Sequence, residues 1–155
     1  MNYKIETVKI EEKEILYNML QFALYDGSKY IENKINNKGL FEYKWFDNYF
    51  TDNNRIAYFI RNYSNDLIGF VMINQNMKVV SVGHSVAEFL ILPHYRRNHI
   101  GKQVAFEIFS YFKGNWEVEP IENSDEAYLF WKNVIKEYTS NNYEYTNNIF
   151  IFKNE

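Results

Sequence analysis

Between Leu90 and Phe112 the chain changes period. An apolar run, Leu90-Ile91-Leu92, stops at Pro93, and from Ile100 onward Val104, Ile108 and Phe112 recur every fourth residue. The first pattern is that of a strand and the second that of an amphipathic helix. The corner between them holds His94, Arg96, Arg97, His99, Gly101 and Lys102. A chain of net charge −3 thus gathers its cations where a strand feeds a helix.

The remaining elements follow from the same periodicities. Asn2 to Ile10 reads as a strand, and Glu11, Glu12 and Glu14 open a helix, where acidic groups suit the positive end of the dipole. Its apolar positions are Ile15, Leu16, Met19, Leu20, Phe22 and Ala23, and Asp26-Gly27 ends it. After a polar loop from Lys34 to Gly39, the aromatic run Phe41–Phe50 is expected to be a second, short helix. Two β-rich runs start at Arg55 and Leu67, joined by a turn over Ser64–Asp66. A longer strand is expected over Val82–Leu92, the corner helix over Ile100–Lys113 with Gly114 as its stop, and a strand over Trp116–Pro120.

Ala127, Phe130, Trp131, Val134, Ile135 and Tyr138 line one face of the clearest helix. Asn123 and Glu126 have the spacing of a capping box at its start. The chain closes with two strands around Asn147-Asn148, a two-residue hairpin turn. The order β-α-α-β-β-β-α-β-α-β-β predicts an α/β fold in which a mixed sheet carries helices on both faces.

A length of 155 residues suits one domain spanning 1–155. There is no cysteine, so disulfides, thiolate metal sites and a cysteine nucleophile are excluded. No run reaches the length of a membrane span and the N-terminus lacks a signal-peptide pattern, so the cytoplasm is the expected location. A pI near 5.7 argues against general nucleic-acid binding. His84, His94 and His99 have no metal-cluster spacing, so no metal is expected. No G-x-S-x-G elbow is present, which leaves a serine hydrolase without support.

A strand running into a helix leaves the first helical N–H groups without internal partners, and with the helix dipole they favour an anion. Arg96, Arg97, His99 and Lys102 add side-chain donors, and Gly101 would let a ligand approach the backbone. A diphosphate uses many donors at once and suits this corner better than a carboxylate. A P-loop is excluded, because Arg96 and Gln103 stand where it needs glycine and a hydroxyl residue. A dinucleotide fingerprint needs three glycines and the corner has one. The alternative is a solvated basic turn that merely caps the helix.

The stretch LPHYRRNHIGK resembles the acyl-CoA-binding signature of the GNAT superfamily of N-acyltransferases. Arg96 takes the first place of that signature and Gly101 the last, while His99 stands where the family usually has a glycine. FEYKWFDNYF, AEFLILPHYRRNHIGK, WEV and FWKNVIKEYT are similar to a bacterial subgroup of predicted acetyltransferases. The resemblance covers essentially the whole chain and implies a central, mostly antiparallel sheet. It implies acetyl-CoA as co-substrate, with no metal, and a small-molecule or peptide amine as acceptor. The pI and the lack of a membrane-length run leave nucleic acid and membrane out of the expected partners, and the reading is compatible with a homodimer.

The site residues are implied in the same way. The backbone of Phe89, Leu90 and Ile91 would bind the pantetheine arm. The diphosphate would sit on N–H groups from Arg97, Asn98, His99, Ile100, Gly101 and Lys102, with Arg96 beside them. Asn123 would contact the cofactor at the start of the next helix, unless it serves only as the cap, and Phe130 would lie alongside.

Direct transfer needs a proton acceptor. In WEVE, Trp116 and Val118 share one face and Glu117 and Glu119 the other, expected to be a wet cleft, so Glu117 is the first candidate base. Pairing with nearby Lys or Arg is the alternative. Glu88, a charge inside an apolar run, is the second candidate. Relatives place a tyrosine on the last helix as general acid; Phe130 and Trp131 occupy that neighbourhood, and Tyr128 is the substitute. Asp26, Glu32, Glu42 and Asp47, among many rings, suit a cationic acceptor. A catalytically inactive acyl-CoA sensor of the same fold is the rival reading, prompted by His99 and the missing tyrosine.

Overall fold

The computed structural model describes residues 2–155, with the side chain of Arg97 outside the described part. Seven strands form one sheet: β1 (Tyr3–Thr7), β2 (Arg55–Asn62), β3 (Leu67–Asn74), β4 (His84–Ile91), β5 (Gly114–Val118), β6 (Glu144–Thr146) and β7 (Ile149–Asn154). Their spatial order is β1-β2-β3-β4-β5-β7-β6. Only β4 and β5 run parallel; the other neighbours are antiparallel. Three helices complete the fold, α1 (Lys13–Gly27), α2 (Ile100–Tyr111) and α3 (Asp125–Tyr138). Among the described residues no helix is long and apolar enough to cross a membrane.

The two faces are filled by strand alternation. On β2 and β3, Tyr58, Ile60, Val71 and Ile73 pack against α2 and α3 with Val104, Ile108, Phe109, Trp131 and Ile135. The residues between them, Ala57, Phe59, Phe70 and Met72, pack against α1 through Leu16, Met19 and Leu20. Period two on the strands and a helical stripe on each cover are what this two-sided core requires.

The run Phe41–Phe50 is not a helix. Its chain is irregular, with a single 3-10 turn over Asp47–Phe50. Trp45 sits in the left-handed region at φ 70°, which breaks helical geometry. The Phe41 N–H and C=O are both bonded to α1 side chains, Gln21 and Tyr17, rather than within the run. The aromatic side chains are nonetheless core: Phe41, Phe46 and Tyr49 are buried. The closing hairpin matches its sequence, with Asn147 at φ 50° and Asn148 at φ 63°, as a two-residue primed turn demands.

Candidate acyl-transfer cleft

β4 and β5 pair only through His84, Ser85 and Val86 with Trp116, Glu117 and Val118. Beyond that point β5 ends while β4 continues to Ile91, so the two strands part. Leu92 N–H donates to Ile68 C=O, and the ladder with β3 pairs Leu90 with Phe70. By alternation the backbone groups of Leu90 point to β3, and those of Phe89 and Ile91 point to the parted side. Leu90 is therefore unavailable to a ligand's backbone pairing, a correction to the expected trio. The Ile91 carbonyl is also taken, by Arg96 Nε at 2.6 Å.

The gap opens into a cavity of about 1110 Å³. β4 lines it from Val86 to Ile91, and α3 contributes Ala127, Phe130 and Trp131. Arg96, His99 and Lys102 of the corner line it, and Lys29, paired with Asp26, lines it beyond the end of α1. Of its carboxylates, Asp26 comes from the end of α1, Glu119 and Glu122 from the β5–α3 connection, Glu126 from the first turn of α3 and Glu88 from β4 itself.

At the corner a 3-10 turn over Pro93–Asn98 is followed by His99 at φ 57°, and α2 starts at Ile100. The left-handed conformation at position 99 is one that glycine adopts at no steric cost. His99 accepts it here, and its exposed ring leaves the first turn of α2 open. Gly101 serves packing. A Cβ there would come within 3.1 Å of the Phe130 ring, so the missing side chain admits α3, and Gly101 also lines the cavity. Ile100 is fully buried and packs into the core. Lys102 Nζ lies 3.2 Å from Glu137 at the cavity edge. Asn98 is exposed and outside the lining.

Three sequence assignments change. Glu117 is only 3% exposed and accepts backbone N–H bonds from Lys78, Val79 and Val80 at 2.7–2.8 Å. The face argument for WEVE is right, since Trp116 and Val118 are core, but the β3–β4 loop covers Glu117 and occupies its oxygens. It anchors that loop and has no opening to a substrate. Tyr128 packs on Tyr145 and Phe150 and does not line the cavity, so it cannot protonate a leaving group there. Asn123 neither caps α3 nor lines the cavity; its Nδ2 donates to the Tyr30 carbonyl at 3.1 Å. The cap is Ser124, whose Oγ accepts from Ala127 N–H.

Glu88 gains what Glu117 loses. In the β3–β4 ladder Met72 pairs with Glu88 but Ile73 pairs with Val86, which makes Ala87 the extra residue of a β-bulge. The bulge lets Val86 and Phe89, three residues apart, both face α2 and α3, and sends Glu88 to the α1 side with Leu90. Burial pushes the Glu88 carboxyl up to about 7, opposed by one hydrogen bond from Tyr43 Oη at 3.1 Å. A carboxylate titrating near neutrality is suited to accept a proton from an amine. Sequence reading placed Tyr43 only in an aromatic run, because nothing local marks a partner 45 residues away.

Among the described residues no group of three His, Asp or Glu side chains could hold a metal ion. The cleft fits an acyl-CoA: free backbone groups on Phe89, an open helix start and cations at one corner, and an apolar wall in Phe130 and Trp131.

A spermidine N-acetyltransferase from Vibrio cholerae, solved with CoA and spermine, superimposes with a TM-score of 0.64 at 9% identity, covering 97% of this chain and 95% of that one. An aminoglycoside 6'-N-acetyltransferase from Acinetobacter baumannii gives 0.63 at 11%, covering 86% and 89%. An acetyltransferase from Thermus thermophilus gives 0.69 at 10%, covering 99% and 97%. These likenesses establish the fold. No curated protein matches the sequence. The model of the acetyltransferase (GNAT) family matches residues 16–132. With most of its length inside that match and the parted strands in place, the chain belongs to the GNAT family, the acyl-CoA-dependent N-acyltransferases that use acetyl-CoA as donor.

Proposed function

We propose that this protein transfers the acetyl group of acetyl-CoA to an amine by direct attack, with Glu88 as the base. The observation that carries this reading is the Glu88 carboxyl in the wall of the parted-strand cleft, held near neutral titration by burial.

Bound acetyl-CoA supplies the thioester carbonyl as electrophile and a thiolate as leaving group. Phe89 offers backbone groups to the pantetheine arm, and the first N–H groups of α2, with Arg96 and Lys102, face the diphosphate. Glu88 takes the proton that the amine nitrogen loses as the N–C bond forms and the C–S bond breaks. No tyrosine of α3 lines the cleft, and solvent is the proposed source of the thiolate's proton. The amines named for the Vibrio cholerae and Acinetobacter baumannii proteins are polycations. The carboxylates of Glu122 and Glu126 suit the same class here, while Asp26 and Glu119 are paired with Lys29 and Lys78. A poised carboxyl in the cleft favours this enzyme over a sensor that only binds the acyl-CoA.

Free-thiol release from acetyl-CoA, measured while both substrates are varied, tests the proposal. Spermidine, spermine, tobramycin and a short peptide with a free N-terminus serve as acceptors. The expected result is release that requires an amine, with intersecting double-reciprocal lines, because both substrates occupy the site before any bond breaks. Parallel lines would mean an acyl-enzyme and would exclude direct attack.

A further inference from the structure

Tyr43 stands between two cavities. It is one of the residues lining a smaller space of about 240 Å³ with Tyr17, Trp45, Phe46 and Asp47, and its hydroxyl reaches through to Glu88 in the main cleft. Among the described residues it is the one side chain that hydrogen-bonds Glu88.

The backbone on both sides of Tyr43 is fixed. Upstream, Phe41 C=O accepts from Tyr17 Oη and Gln21 Nε2, each at 2.9 Å, and Phe41 N–H donates to Gln21 Oε1 at 2.7 Å. Downstream, Phe46 N–H donates to Tyr43 C=O at 3.2 Å, and the buried Phe46 ring meets Tyr17 edge-on at 5.0 Å. Trp45 holds its left-handed turn with Lys44 and Arg55 over its ring. Strained, bulky residues persist only where their surroundings hold them. This one closes the turn that aims Tyr43.

We propose that Tyr43 is the positioning residue of the base: its hydroxyl holds Glu88 Oε2 and leaves Oε1 to the acceptor amine. The inference rests on Glu88 being the base. It ties the 41–50 segment, and through Gln21 and Tyr17 the whole of α1, to the orientation of one carboxylate. A donor to the ionised form also favours that form, so Tyr43 sets the pH at which Glu88 becomes a base as well as its direction.

The groups around Glu88 leave few competing causes. Met72 opposite it on β3 is apolar, and the Tyr49 hydroxyl lies beside that of Tyr43 with Arg55 next to its ring. Asp26, Glu119, Glu122 and Glu126 share the cleft, as do Lys29, Tyr30, Arg96, His99 and Lys102, and none of them hydrogen-bonds Glu88.

The test is carbon-13 NMR of the glutamate carboxyls in the wild type and in Tyr43→Phe, with Glu88→Gln to assign the Glu88 signal. Removing the hydroxyl should raise the Glu88 midpoint by about one pH unit, the size of one lost hydrogen bond to a charged group. An unmoved midpoint in a folded variant would overturn the proposal. In the wild type the Tyr43 Cζ resonance should titrate with the Glu88 midpoint, which requires no variant to fold. A Cζ signal indifferent to that transition would also overturn it. Neither measurement uses turnover, so both stand apart from the question of whether Glu88→Gln stops transfer. Where transfer is measurable, the acid limb of kcat/KM should move with the midpoint in Tyr43→Phe, and a fall in rate with the limb in place would mean a merely structural role.

Discussion

Glu88→Gln is expected to cut amine acetylation by about 10²–10⁴-fold, the usual cost of losing a general base. Glutamine keeps the shape and can still accept from Tyr43, but it cannot take a proton. Affinity for CoA should hold, because the corner and the Phe89 backbone are untouched. In the wild type the rate should rise with pH through about 7 as Glu88 ionises. That limb should vanish in the variant, leaving only the rise due to neutral amine.

The same substitution should act oppositely on stability. The folded carboxyl is raised above its unfolded value, so between about 4.5 and 7 the folded state binds the extra proton. Stability then falls as pH rises through that window, and an ionised, buried Glu88 is a burden above it. Glu88→Gln should therefore melt higher than wild type at pH 8, with the difference closing below about pH 4.5. Loss of turnover together with a lower melting temperature at pH 8 would indicate simple damage to the fold, and full turnover would remove Glu88 from the mechanism.

Glu117→Ala should show the reverse pairing. Three part-buried hydrogen bonds from the backbone N–H groups of Lys78, Val79 and Val80 lose their acceptor at once. Hydrogen bonds to a charged group are individually worth about 1.5–3 kcal/mol, and part is recovered as the loop meets water, so a loss of about 3–4 kcal/mol is expected. For a chain of this length that lowers the melting temperature by roughly 10 °C. The folded fraction should retain turnover in the cold, with its pH limb in place. Thermal melting and a rate measurement at low temperature check both halves. A stable but inactive Glu117→Ala would reinstate Glu117 as the base.

These two carboxylates show where the sequence was sufficient. Period two placed Trp116 and Val118 inside and Glu117 on the opposite face, and it marked Glu88 as a charge needing a reason. What it could not supply was the cover. The β3–β4 loop that closes over Glu117 is nearly forty residues away, and a strand pattern carries no information about what crosses it. The bulge at Ala87 is also silent in sequence, because an extra residue is defined by its pairing with β3.

The corner was legible as strand, turn and helix, and Arg96, His99 and Lys102 line the cleft. The purpose of Gly101 was not, since its neighbour Phe130 belongs to another helix. The aromatic run at 41–50 misled because helical spacing of rings and a buried irregular segment look alike until the backbone partners are known. Here Gln21 and Tyr17 take the hydrogen bonds that a helix would have kept. The cap of α3 was missed by one residue, Ser124 for Asn123, since both are good capping types.

Amide NMR during a titration with CoA tests most directly whether the parted strands are the acyl-donor site. The largest shifts should fall on the N–H groups of Phe89 and Ile91 and on those of His99, Gly101 and Lys102. Leu90, whose N–H is committed to β3, should move least on that strand. Dephosphorylated pantetheine should shift Phe89 and Ile91 while leaving the corner quiet. Shifts confined to other surfaces, or a corner that answers pantetheine as strongly as CoA, would contradict the assignment of this cleft.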